Sequence, residues 1–108
     1  MGRVVADHPG VEVTATVDDP VAPVIHLAGE LDLASVDSAK QGIAEYLAGA
    51  PVRVTFDLEK LTFMDSSGIA LLVQLSNDIG QVSLTHVTPI VHRVLEATGL
   101  LEHFGLAP

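Results

Sequence analysis

Asp65, Ser66, Ser67 and Gly68 stand together between two apolar runs in TFMDSSGIALL, residues 62–72. An acid beside two hydroxyls allows three kinds of chemistry: nucleophilic attack by a serine, phosphate binding, or modification of a hydroxyl. Nucleophilic attack has a local signature, a serine in a G-x-S-x-G turn between strand and helix. Met64 to Gly68 supply one of those two glycines, and the sequence identifies no base for Ser66. A chain of 108 residues also leaves little room for a substrate pocket beside a triad. A small serine hydrolase is therefore the remote reading. A P-loop needs a glycine-rich run and a lysine after its last glycine, and neither is present. No ATP site and no cofactor are expected.

Capping is the ordinary role of Asp and Ser at a helix start, because their oxygens accept the unpaired first-turn N–H groups. A cap alone does not need three consecutive polar residues. A hydroxyl in that first turn also suits a phosphate, which would meet exposed N–H groups and the positive end of the helix dipole. Phosphorylation would add about −1.5 to −2 charges to the surface there.

The other candidates for chemistry are His8, His26, His86, His92 and His103. None pairs with another at the i, i+4 spacing of a helical metal site, and no acid cluster in the sequence completes one. They read as local structural histidines, so no metal is expected. With no cysteine, disulfides, thiolate metal sites and thiol catalysis are excluded.

The elements that must position the serines follow from periodicity. VEVTATV (residues 11–17) alternates apolar and polar residues, as a half-buried strand does. After the turn-forming DDPVAP, VIHLAGEL (24–31) predicts a second strand, antiparallel to the first. Val36, Ala39, Ile43, Tyr46 and Leu47 recur at helical spacing behind Ser35, a candidate N-cap, and Gly49–Ala50–Pro51 stops the helix. VRVTFDL (52–58) predicts a strand with Val52, Val54, Phe56 and Leu58 on one face and Arg53, Thr55 and Asp57 on the other. Strand, helix and strand in that order predict a parallel crossover. A second helix runs from Ser66 to about Asp78, apolar almost all round, and QVSLTHV is a fourth strand. Thr88–Pro89 opens a third helix with Ile90, Val91, Val94 and Leu95 inward and Gly99 as its cap. Leu100, Leu101 and Phe104 fold back as a short helix or turn. The order ββαβαβα defines an α/β domain with a mixed four-stranded sheet over residues 11–108, after an N-terminal tail of residues 1–10.

Fourteen acidic residues against five basic ones give a net charge of −9, which argues against direct binding to nucleic acid or to anionic membranes. No run approaches the roughly 18 apolar residues of a membrane span. MGRVVADHPG lacks a signal-peptide core, and Ala6 breaks the myristoylation pattern that Gly2 would begin. A cytoplasmic protein is expected.

LAGELDLAS (27–35), DLEKLTFMDSSGIALL (57–72) and VTPIVHRVLEATGL (87–100) together resemble the STAS-domain family of bacterial anti-sigma factor antagonists, in that family's order. The resemblance implies a mixed sheet with helices and a regulator that is not an enzyme. It implies as partner an anti-sigma factor serine kinase, which the antagonist binds so that the sigma factor is released. The kinase phosphorylates the serine after the motif aspartate and ends the interaction; a metal-dependent serine phosphatase restores it. Carried onto this chain, the phosphoacceptor is Ser66, Ser67 is the neighbouring hydroxyl, and Asp65 and Gly68 shape the loop. Gly29, Glu30 and Asp32 occupy the family loop that joins these residues in the partner-binding surface. The stretch from Gly68 to Pro89 is about one helical turn shorter than is usual in that family. That departure favours the alternative, an unphosphorylated STAS adaptor in a transport or stress-signalling complex.

Overall fold

The computed structural model describes residues 10–107. The tail expected over residues 1–10, with Gly2 and His8, therefore lies outside the described residues except for Gly10. β1 (Val11–Thr16) and β2 (Val24–Leu31) form the expected antiparallel pair, with Val11 opposite Gly29 and Thr16 opposite Val24. Val17 falls outside β1 and is exposed, because the DDPVAP turn begins there. α1 (Val36–Leu47) returns the chain to β3 (Val54–Met64), which pairs parallel with β2. α2 (Ser66–Ile79) leads to β4 (Val82–Thr85), parallel to β3, so the sheet order is β1-β2-β3-β4. α3 (Pro89–Ala97) and a 3₁₀ turn at Glu102–Phe104 close the chain.

β3 is where the expected pattern fails most. Val52 lies outside the strand and is 57% exposed, so the inward series begins at Val54. The strand also runs six residues beyond Leu58. Its buried positions there are Leu58, Leu61 and Met64, three apart rather than two. The register with β2 slips twice, between His26 and Ala28 and between Gly29 and Glu30. Each slip is a β-bulge that sets two outward residues, Glu59–Lys60 and then Thr62–Phe63, against one step of the partner. Period-two reading ends at Leu58 because the period changes there.

One apolar cluster lies under the helices. Ile25, Leu27 and Leu31 of β2 and Val54, Phe56, Leu58, Leu61 and Met64 of β3 meet Ile43 of α1, Leu72 and Leu75 of α2, and Val91 and Leu95 of α3. Ile90, expected inward on α3, is 46% exposed, while Val91 is fully buried. Leu101 and Phe104 fold back into the cluster as expected. The opposite face of the sheet carries Glu12, Thr14, His26, Asp57 and Glu59 and is left open.

Candidate functional site

The chain leaves the sheet at Met64, and Asp65 takes an extended backbone that turns directly into α2. Its Oδ1 accepts the N–H groups of Ser67 (2.8 Å) and Gly68 (3.4 Å), the two bonds of an N-cap. Its Oδ2 accepts the N–H of Leu33 (3.3 Å), from the loop that follows β2. One carboxylate thus ties together two segments more than thirty residues apart in the chain. Asp65 N–H donates to Leu31 O (3.2 Å), a second tie between them.

The loop after β2 is built by two further side chains. Asp32 Oδ1 accepts the N–H groups of Ala34 (3.0 Å) and Ser35 (3.1 Å). Ser35 is buried, donates its hydroxyl to Glu30 O (2.7 Å) and accepts from Asp32 N–H (3.0 Å). Ser35 therefore stands at the N-cap position of α1 but makes no capping bond, since its hydroxyl is committed to the loop behind it. Gly29 adopts φ +97° and packs against the Gly10 carbonyl, a place with no room for a Cβ. Gly68 is equally constrained: a Cβ there would lie 2.8 Å from Met64 Cγ and 2.9 Å from both Leu31 Cγ and Leu31 O.

These contacts bring Asp32, Asp65, Ser66, Ser67 and Gly68 to one end of the sheet, with Gly29 and Glu30 near the end of strand β2 leading to it. Ser66 is exposed, Ser67 half-buried and Gly68 buried. Among the described residues, nothing hydrogen-bonds the Ser66 hydroxyl, so it is presented to solvent. Ser67 instead lines a shallow groove of about 260 Å³ between α1 and α2, with Val36, Lys40, Ala70 and Gln74. Leu33, at the tip of the neighbouring loop, is 77% exposed. Its part in joining the two loops is not legible in the sequence, because it acts through its backbone.

A second constellation lies on the open sheet face. His26 Nδ1 bonds Asp57 Oδ2 (2.9 Å) and His86 Nδ1 bonds Asp57 Oδ1 (3.0 Å). Burial pushes the Asp57 carboxyl up, but the Glu59 N–H and the two imidazoles outweigh it and hold the group below its ordinary value. The sequence reading that no acid cluster accompanies the histidines is corrected here. Parallel pairing sets His26 opposite Asp57, and β4 ends at Thr85, also opposite Asp57, with His86 directly after it. Such neighbours across strands leave no local spacing signal.

An α/β domain with a mixed sheet and an aspartate-capped serine turn at its end is the class that fold and site define. The family model of the STAS domain matches residues 12–108, and the chain belongs to that family. It is 34% identical over 82 residues to an anti-sigma F factor antagonist of Lysinibacillus sphaericus, covering 71% of this chain and 70% of that protein. The structure of the anti-sigma factor antagonist SpoIIAA of Bacillus in its unphosphorylated form superposes with a TM-score of 0.74 at 26% identity, covering 90% of this chain and 89% of that one. An anti-sigma factor antagonist from Mycobacterium paratuberculosis shares the fold with a TM-score of 0.79 at 24% identity, covering 91% and 86%.

Proposed function

We propose that this chain is an anti-sigma factor antagonist whose binding surface is switched by phosphorylation of Ser66. The observation that carries the reading is the position of Ser66: exposed, unbonded, and in the first turn of a helix whose cap is already supplied by Asp65. The cap leaves this hydroxyl unused by the fold. The same end of the domain displays Leu33 and the groove between α1 and α2, an apolar and polar mixture suited to a protein partner. A relative whose structure is described as unphosphorylated points to the same chemistry. The partner is an anti-sigma factor that is also a serine kinase, a metal-dependent serine phosphatase reverses the modification, and all three act in the cytoplasm. The domain itself is not an enzyme.

Phosphate on Ser66 would place about two negative charges at the end of the domain that carries Asp32 and Asp65, and against the docked partner. Burying that charge unpaired lowers affinity by about a hundredfold, or ~2.7 kcal/mol. Incubating the protein with its kinase and ATP, followed by mass spectrometry, should find phosphate on Ser66, and Ser66→Asp should bind the kinase about a hundredfold more weakly. Phosphate on Ser67 alone overturns the site. Stable kinase binding with neither serine modified favours the adaptor reading instead.

A further inference from the structure

We propose that Asp57, Glu59 and His86 form a binding site for a divalent transition-metal ion of the zinc type on the open face of the sheet. One donor atom from each residue lies within 4.8 Å of the others. Zinc holds nitrogen and carboxylate ligands at about 2.0–2.2 Å, so donors in a tetrahedral shell stand roughly 3.4 Å apart. Closing that gap takes side-chain rotation only. Glu59 and His86 are exposed and can rotate, while Asp57 is half-buried and fixed.

Its fixing is what makes the cluster a receptor rather than three surface groups. Thr16 Oγ1 bonds His26 Nε2 (2.9 Å), His26 Nδ1 bonds Asp57 Oδ2 (2.9 Å), and Glu59 N–H donates to Asp57 Oδ1 (3.1 Å). Carboxylates that ligate metals are themselves held by hydrogen bonds from outside the shell, and His26 and the Glu59 N–H supply these to Asp57. His86 sits at φ +53°, a left-handed turn at the end of β4 that aims its ring back over β3. Asp57 and Glu59 border a hollow of about 330 Å³ that Glu12 and Thr14 line from β1, and His86 reaches Asp57 from the end of β4. Lys60 lines it too, as the opposing charge at its rim. An imidazole with two carboxylates suits zinc, nickel or copper, whereas magnesium and calcium take oxygen ligands. Three protein ligands leave a position for water.

The site is independent of the switch. Asp57 lies eight residues before Asp65 along β3, about 26 Å of extended chain, and faces away from the helices. Its failure would leave the proposed function untouched.

Titrating zinc chloride into the untagged chain against a chromogenic chelator should show one equivalent bound and not displaced by excess magnesium. His86→Gly, which accepts the left-handed backbone, and Glu59→Gln should each weaken binding about tenfold or more. His103→Ala and His8→Ala should not. Circular dichroism confirms that each variant folds, and Glu59→Gln tests the site even if His86→Gly does not. Absence of binding, or binding that both ligand variants retain, overturns the proposal.

Discussion

At the scale of single residues, the serine turn depends on one carboxylate and one missing side chain. Asp65 caps α2 with one oxygen and holds the Leu33 loop with the other, so helix start and loop share one point of attachment. Gly68 lets that helix start sit against Leu31 and Met64. In Gly68→Ala the new methyl meets the Leu31 carbonyl, which is backbone and cannot swing aside. A cost of about 1–3 kcal/mol is expected, measured by urea denaturation against wild type. The capping role of Asp65 is legible in the sequence, since an aspartate before an apolar helical run has a short-range meaning. The need for glycine at 68 is not, because the atoms that exclude a side chain there come partly from β2. The same distance effect hides the Asp57 cluster: its members make sense only once strands are paired.

Among the elements, those with strict periodicity were readable almost to the residue. β2 spans Val24–Leu31 as the alternation predicts, and α2 and α3 begin at Ser66 and Pro89 as their caps predict. β3 was not, because its two bulges replace alternation with steps of three. β4, at four residues, is also too short to flank β3 beyond Asp57. α3 helps cover what β4 leaves. The Thr88 hydroxyl both accepts the N–H of Val91 (3.5 Å) and donates to Leu61 O (3.4 Å) on β3. Thr88→Ala therefore removes a helix cap and a tie to the strand together. Thermal unfolding should show a loss of about 1–2 kcal/mol. Thr88→Ser keeps the hydroxyl and should recover most of it.

For the molecule as a whole, the sheet separates two surfaces. Helices seal one face, the serine turn occupies one end, and the polar face stays open. Fourteen acidic residues against five basic ones give the surface a negative field, which steers a basic partner during approach. For the proposed kinase complex, the association rate should fall as sodium chloride rises from about 0.05 to 0.5 M, while dissociation changes much less. Stopped-flow fluorescence separates the two rates. An association rate indifferent to salt would mean that this charge serves solubility alone.

The paired outward residues of β3 have a consequence for how such a domain tolerates changes in length. A deletion inside a strand ordinarily turns every later side chain to the wrong face. Here Glu59–Lys60 and Thr62–Phe63 each hold one residue in excess of what the neighbouring strand requires. Loss of Lys60 restores simple alternation from Leu58 to Leu61, and the remaining pair Thr62–Phe63 keeps Met64 directed inward. The middle of a core strand is thus a place where this sequence can shorten by a residue and keep its interior, at the cost of re-aiming the helix that carries Ser66.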